Sequence, residues 1–286
     1  MKTDTLAVPG ATLYYEVRGA GPTLLLICGG GYDAAGYAGL AERLADEYTV
    51  VTYDRRGNSR SPLAGPPAPQ RIEEHGEDAR RILAAAGAGP AFVFGNSSGA
   101  SIGLDLVARH PDLVQVLVAH EPPVFDLLDD RGRFAALMTE VEHAYASDGA
   151  GAAGAVFGAG LQMRGGAEDG AADEPDRIPG GAEASAEPDP ELAAMMGRLP
   201  ANMEFFIGYE VPPFGRYSPD VDALRAAGTR IVPAVGAESA GEPPHRCGLV
   251  LADLLDTEAA VFPGDHGGFG SRVDEFAAQL RQVLRG

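Results

Sequence analysis

Three serines crowd into the segment FVFGNSSGAS, residues 92–101, and two glycines bracket one of them. Gly95, Ser97 and Gly99 form a Gly-x-Ser-x-Gly pattern, in which the glycines relieve crowding at a sharp turn. The apolar run before the pattern predicts a strand, and the residues after it predict a helix. Ser97 is thus predicted to be a nucleophile at a helix N-terminus, where unpaired N–H groups favour negative charge. Ser98 fails this spacing, but its backbone N–H is suited to donate to an oxyanion.

A nucleophilic serine needs a base, because a free hydroxyl is a poor nucleophile. Among six histidines, His266 stands in FPGDHGGFG, flanked by glycines just after the last predicted strand. That position brings it to the same sheet edge as Ser97, so we predict that His266 is the base. His245, which begins a helix after two prolines, is the weaker candidate.

The base in turn needs a carboxylate to orient it. Glu238, in VPAVGAES, follows a predicted strand directly, and we predict that it fills this role. Asp265 adjoins His266, but neighbours on one chain rarely face each other well. Glu121 follows the preceding strand and is the other alternative, unless it pairs with an arginine of the DRRG segment at residues 54–57.

The glycine-rich loop CGGGYD, residues 28–33, also follows a strand. Its glycines permit close backbone approach, and we place a second oxyanion donor at Gly30. The loop lacks the phosphate-binding pattern Gly-x-x-x-x-Gly-Lys-Ser/Thr, and no acidic residue is suitably placed for a dinucleotide ribose. No spacing of His, Cys, Asp and Glu suggests a metal site. We therefore expect chemistry that needs no cofactor and no metal.

Short apolar runs alternate with helical patterns, which is typical of a β-α-β chain. Such continuous runs predict strands buried on both faces, as in a parallel sheet. Strands are predicted at ATLYYEVRG, TLLLIC, YTVVTYD, AFVF, VQVLVAH, RIVPAV and AAVF. The alternation breaks between the fifth and sixth of these runs. We predict a core of residues 1–122 and 228–286, and a helical lid of residues 123–227 with a flexible Gly/Ala-rich loop near 148–190.

Composition excludes several classes of partner. The chain of 286 residues carries a formal charge of −19, which repels phosphate backbones and argues against nucleic-acid binding. Two cysteines are too few for a disulfide framework and favour a cytoplasmic protein. No apolar stretch approaches the roughly 20 residues of a membrane span, so no membrane association is expected. A small-molecule substrate remains the expected partner.

Taken together, these motifs resemble the α/β-hydrolases of the single-domain serine type. The matching segments are TLLLICGGG, TYDRRGNSRS, GNSSG, AHEPP and PGDHGGF. The resemblance implies an α/β fold: a mostly parallel central sheet of about eight strands, helices on both faces, and a helical cap inserted after the sixth strand. The family's chain order of serine, acid and histidine fits Ser97, Glu238 and His266. Cys28 stands where many members have histidine. The DRRG segment is mainly structural in such proteins, and we assign it no chemistry.

We therefore predict a serine hydrolase that cleaves an ester, lactone or thioester through an acyl-enzyme. The segment MEFFIGYEVPPF (Met203–Phe214) puts apolar side chains on two faces of a lid helix, which favours a mostly apolar substrate. The alternatives on the same triad are a cofactor-free perhydrolase or haloperoxidase-like enzyme and a biosynthetic C–C hydrolase or cyclase. A small-molecule receptor without turnover is disfavoured, since a pure binder need not keep a triad.

Overall fold

The continuous apolar runs form the interior of one sheet. The computed structural model describes residues 1–87, 89–162 and 190–286, and its described residues contain eight strands in the order β1-β2-β4-β3-β5-β6-β7-β8. The strands are β1 (Lys2–Val8), β2 (Ala11–Arg18), β3 (Thr23–Ile27), β4 (Thr49–Tyr53), β5 (Ala91–Asn96), β6 (Val114–His120), β7 (Arg230–Gly236) and β8 (Ala260–Phe262). The predicted sheet of about eight strands is confirmed.

Only the first part of the sheet is antiparallel. β1 pairs antiparallel with β2, and β2 with β4, whereas all other pairs are parallel. β1 was not predicted from the sequence, because its residues KTDTLAV are mostly polar and exposed. It is an edge strand that pairs on one side only, so it carries no buried apolar run.

Helices cover both faces of the sheet. They are α1 (Ala38–Leu44), α2 (Ile72–Ala85), α3 (Ser98–Arg109), α4 (Arg131–Leu161), α5 (Pro190–Phe205), α6 (Val211–Gly215), α7 (Val221–Ala226), α8 (Pro243–Leu254), α9 (Gly268–Ser271) and α10 (Val273–Arg285). One apolar cluster joins the sheet to α2, α3 and α8, and a second joins its other face to α1 and α10. In the described part of the chain, no helix combines the length and apolar character needed to cross a membrane.

The insertion between β6 and β7 is helical, as predicted. It contains α4 to α7 and a five-residue π-helical turn, Phe206–Glu210, between α5 and α6. The expectation of a loose loop from residue 148 is wrong as far as Leu161, because α4 continues to that residue past a break at Gly149. Ala153 and Leu161 lie in the apolar core, which offsets the low helix propensity of the glycines around them. The rest of the expected loop, 163–189, lies outside the described residues.

Candidate active site

Ser97 stands at the turn between β5 and α3 in a strained backbone conformation. Its φ of 54° and ψ of −127° lie where non-glycine residues are rare. The flanking glycines are required by close backbone approach. A Cβ on Gly95 would lie 2.3 Å from the carbonyl oxygen of Gly99, and one on Gly99 would lie 2.1 Å from that of Ile27. A side chain at either position would therefore collide with the backbone, which is why the Gly-x-Ser-x-Gly pattern needs both glycines.

His266 is paired with Glu121. The His266 Nδ1 lies 2.6 Å from Glu121 Oε2, and the glutamate side chain is fully buried. An ionised carboxylate only accepts hydrogen bonds, so the Nδ1 carries the proton and the Nε2 keeps its lone pair. Burial acts to raise the pKa of Glu121, but the hydrogen bond from His266, together with the attraction of its ring when protonated, outweighs burial and lowers that pKa to about 2.

The second oxygen of Glu121 is also fully engaged. The backbone N–H of Gly236 donates to Oε1 at 2.9 Å, and the Ser239 hydroxyl donates to the same atom. His245 Nδ1 lies 3.6 Å away from it. Hydrogen bonds to both oxygens offset the large cost of burying the charge. Sequence reasoning missed Ser239, because a lone serine after a strand carries no distinguishing pattern.

The expectation that Glu238 orients the base is wrong. Glu238 is about half exposed, and its carboxylate accepts a hydrogen bond from Arg272 at 3.0 Å. The reason is register: β6 lies between β5 and β7, and its last residue, His120, pairs with Asn96 and with Ala234. Glu121, which follows His120, is therefore level with Ser97, which follows Asn96. Glu238 lies four residues beyond Ala234, the residue of β7 that pairs with His120.

The other acidic alternatives also have different partners. Asp265 is exposed and accepts from the backbone N–H of Gly267, which stabilises the turn after β8. The arginines of the DRRG segment do not pair with Glu121. Arg55 pairs with Glu210 and Arg56 with Asp78.

Asn96 connects the turn at Ser97 to the loop of His266. Its amide donates to the backbone carbonyl of His266 at 2.9 Å and lies 3.4 Å from the Nδ1 of His120. His120 is buried against the rings of Phe262 and Phe276, and burial lowers its pKa to about 3. His120 is therefore a neutral ring that supports the site and carries no charge there.

Ser97 and His266 face the same cavity, of about 290 Å³. Gly30 and Ser98, the two predicted oxyanion donors, also line it. The remaining lining is mostly apolar and includes Tyr32, Pro123, Phe125, Phe157, Leu161, Phe206, Val211, Phe214, Pro244 and Phe269. Two of these side chains, Phe157 and Leu161, come from the part of α4 that was expected to be a loop. The cavity therefore places a few polar groups in an otherwise apolar pocket, which is typical of small-molecule sites.

The insertion packs directly on the glycine loop. A Cβ on Gly30 would lie 2.1 Å from the ring of Phe206, so the ring occupies the space that a side chain at this position would need. The buried amide of Asn202 donates to the Gly31 carbonyl at 3.1 Å, and Arg198 pairs with Asp33 at the end of the loop. The loop that would hold an oxyanion is thus fixed by side chains of α5 and the π-helical turn.

Metal ligands do not gather at this site. Within ranges 1–87, 89–162 and 190–286, no group of three His, Cys, Asp or Glu side chains could hold an ion. Cys28 is buried, donates to the Asp33 carbonyl, and has a pKa raised by burial. It is a small buried side chain of the glycine loop and not a reactive thiol.

The α/β-hydrolase fold family model matches residues 22–216, and the chain belongs to this family. It is therefore an enzyme of the hydrolase type, as the sequence motifs predicted. The family identification agrees with the sheet order, with the strained serine between β5 and α3, and with a histidine after the last strand.

Similar proteins extend over the whole chain. It is 38% identical over 290 residues to the uncharacterized hydrolase YraK of Bacillus subtilis (strain 168), covering 99% of this chain and 96% of YraK. A thermophilic esterase from Thermogutta terrifontis has a similar structure, with a TM-score of 0.72 at 18% identity, over 100% of this chain and 98% of that one. The enol-lactonase from Burkholderia xenovorans LB400 gives a TM-score of 0.62 at 18% identity, over 99% of this chain and all of that one. At these identities the two structures show the shared fold.

The pairing of Glu121 with His266 predicts a specific dependence of stability on pH. Folding lowers the pKa of Glu121 from 4.5 to about 2, so the unfolded chain binds more protons in this range. The contribution of Glu121 is present above about pH 4.5 and is lost as the pH falls toward 2. The free energy of unfolding of Glu121→Gln should therefore fall less steeply over this range than that of the wild type. Urea unfolding at a series of pH values measures both slopes.

The exposed Glu238→Gln serves as the control and should keep the wild-type slope. Equal slopes for Glu121→Gln and wild type would refute the pairing of Glu121 with His266.

Proposed function

We propose that the protein is a serine hydrolase that cleaves an ester, lactone or thioester of a mostly apolar small molecule. The observation that carries this proposal is the hydrogen bond of 2.6 Å between Glu121 and His266, on the cavity that also contains Ser97. A buried carboxylate that orients a histidine next to a strained serine is the arrangement that activates a hydroxyl.

In the first half of the reaction, the Ser97 Oγ attacks the carbonyl carbon of the substrate. Its proton passes to the Nε2 of His266, and the carbonyl oxygen takes the negative charge. Glu121 holds the imidazole in the tautomer that can accept this proton and stabilises the imidazolium that forms. The tetrahedral intermediate then collapses, and His266 returns the proton to the leaving group. From an ester or thioester the alcohol or thiol departs, whereas from a lactone the new hydroxyl remains part of the acyl group; in each case the acyl group stays on Ser97.

The backbone N–H groups of Gly30 and Ser98 serve as donors to the oxyanion in this proposal. Both residues line the cavity, and Ser98 begins α3, whose N-terminus favours negative charge. One such donor typically contributes a factor of about 10²–10³ to kcat. In the second half of the reaction, water attacks the acyl-enzyme with His266 as base, which releases the acid and restores the serine.

The lining of the cavity supports a mostly apolar acyl group. Phe157, Phe206 and Phe214 present aromatic rings to it, and its polar groups cluster around Ser97. No Asp, Glu, Lys or Arg stands among the described residues that line it. A charged acyl group would therefore lose its hydration without gaining a partner.

The role of Ser97 is tested by a fluorophosphonate, which phosphonylates activated serines. We expect a single adduct on Ser97, mapped by peptide mass spectrometry, with loss of hydrolysis of p-nitrophenyl butanoate. Ser97→Ala should abolish both labelling and turnover. Ser98→Ala keeps its backbone N–H and should still be labelled. An adduct on Ser98, or turnover by Ser97→Ala, would rule out this mechanism, and binding of esters without any turnover would instead indicate a receptor.

The identity of the orienting carboxylate gives a second prediction. Glu121→Gln keeps the shape of the side chain but presents the wrong hydrogen-bond pattern to His266, so kcat should fall by about 10²–10⁴ with KM little changed. Glu238→Gln and Asp265→Asn, whose carboxylates bind other groups at the surface, should stay within about twofold of the wild type. Steady-state kinetics on one ester compares all three variants. A greater loss of kcat in Glu238→Gln than in Glu121→Gln would contradict the assignment.

The apolar lining predicts a dependence on acyl-chain length. Each buried methylene contributes about 0.8 kcal/mol, so kcat/KM should rise roughly fourfold per methylene among short p-nitrophenyl esters. The rise should stop when the cavity of about 290 Å³ is full. A p-nitrophenyl succinate, matched in length to the butanoate, is the charged control and should react far more slowly. A preference for short charged esters would overturn the proposed substrate class.

A further inference from the structure

Arg55 is a buried cation that pairs with a buried carboxylate. Its Nη2 donates to Glu210 Oε2 at 2.8 Å, and both side chains are fully buried. Glu210 also accepts from the amide of Asn58 through its other oxygen. Among the residues that the structure describes, nothing bonds to the Nε and Nη1 of Arg55. A buried ion pair of this kind adds little to the stability of the fold, because the cost of removing two charges from water offsets their attraction.

The same Nη2 also reaches the glycine loop. It donates to the backbone carbonyl of Gly29 at 3.3 Å. That carbonyl and the N–H of Gly30 belong to one peptide unit, and no peptide bond among the described residues is cis. In a trans peptide the C=O and N–H groups point in opposite directions. An arginine that holds the carbonyl on one side therefore fixes the direction in which the Gly30 N–H points on the other.

The insertion holds this peptide unit from two sides. The ring of Phe206 covers the α-carbon of Gly30, and Glu210 holds the arginine that binds the Gly29 carbonyl. These two residues are the first and the last of the five-residue π-helical turn. Turns of this kind are rare and occur frequently at functional sites. One short segment of the insertion thus connects to the glycine loop both by packing and by charge.

We propose that Arg55 and Glu210 are positioning residues that set the oxyanion donor of Gly30. This inference rests on the proposed function, because it takes Gly30 as a donor to the intermediate. Arg55 holds the Gly29–Gly30 peptide plane, and its positive charge polarises that peptide so that the N–H becomes a stronger donor. Glu210 keeps the guanidinium at the carbonyl. The pair contributes when negative charge develops on the substrate oxygen, so it should affect kcat and leave substrate binding unchanged.

The neighbouring pair of Arg56 and Asp78 provides a matched control. It is also buried, with hydrogen bonds of 2.6 and 2.8 Å, and its arginine also donates to a backbone carbonyl at 3.3 Å. That carbonyl belongs to Pro9, which does not line the cavity. Each is a buried pair of an arginine and a carboxylate that also bonds a backbone carbonyl, although Arg56 bonds Asp78 through two nitrogens and lies 3.6 Å from Glu74. Of the two arginines, Arg55 is the one that donates to the glycine loop.

The test replaces each pair by apolar side chains, which avoids leaving an unpaired buried charge. In Arg55→Met/Glu210→Met, kcat for p-nitrophenyl butanoate should fall by about 10- to 100-fold, less than the loss of a whole donor. KM should stay within about twofold, and the rate constant of phosphonylation of Ser97 should fall by the same factor as kcat/KM. Arg56→Met/Asp78→Leu should keep the wild-type kcat. Arg55→Lys, which retains a cation and a donor, should recover most of the activity.

An equal loss of kcat in the two double variants, or a rise in KM alone, would overturn the inference and leave the proposed function intact. Absence of a phosphonate adduct on Ser97 in the wild type would overturn both. If Arg55→Met/Glu210→Met does not fold, Glu210→Gln decides. It removes the charge and keeps an acceptor, and a loss of kcat of at least about threefold at constant KM supports the inference, whereas wild-type kcat refutes it.

Discussion

Glu121 is a fully buried carboxylate, and the site is arranged around the hydrogen bonds that stabilise its negative charge. Its carboxylate accepts hydrogen bonds from three parts of the chain: the loop of His266, the end of β7 at Gly236, and Ser239. A buried carboxylate without such partners would be very costly. The positions of the His266 loop and of the end of β7 therefore depend on the ionised form of Glu121. Glu121 directly follows β6, which pairs with β5, the strand that leads into the turn at Ser97.

The turn at Ser97 and the glycine-rich loop of residues 28–33 are shaped by close packing. Gly95 and Gly99 allow the backbone of α3 to approach β3 and β5 closely, which raises Ser97 above the carboxyl edge of the sheet. Gly30 leaves space for the ring of Phe206 to pack on the glycine-rich loop. Ser97, His266 and Glu121 lie in or next to the sheet of the core, and the insertion supplies most of the apolar walls of the cavity. The insertion also makes polar contacts to the glycine loop through Asn202 and through the Arg55–Glu210 pair.

Much of this organisation could be predicted from the sequence, because it rests on local patterns. The interior strands are continuous apolar runs, and the turn at Ser97 has a distinctive glycine spacing. Edge strand β1 could not be predicted, since it is polar and gains its structure from pairing with β2. The second half of α4 could not be predicted either, since tertiary packing at Ala153 and Leu161 outweighs its glycine content.

The expectation that Glu238 pairs with His266 was wrong for a reason that a single sequence could not resolve. Glu121 and Glu238 both follow parallel strands whose carboxyl ends lie at one edge, and both satisfy the chain order of serine, acid and histidine. The choice depends on register across three strands, which pairs His120 with Asn96 and with Ala234. Arg55 was likewise read as part of a structural motif, because its contact with Gly29 depends on a partner 155 residues away in the chain.

We propose that the cavity stabilises a tetrahedral oxyanion formed on Ser97. A crystal structure of the protein after reaction with a butyl fluorophosphonate would show this stabilisation, because the phosphoryl oxygen stands in for the oxyanion. We predict a bond between phosphorus and the Ser97 Oγ, with the phosphoryl oxygen about 2.7–3.1 Å from the backbone nitrogens of Gly30 and Ser98. The butyl chain should lie in the cavity against the paired rings of Phe157 and Phe206. A phosphoryl oxygen that points away from both amides, toward solvent, would show that Gly30 and Ser98 do not form an oxyanion hole.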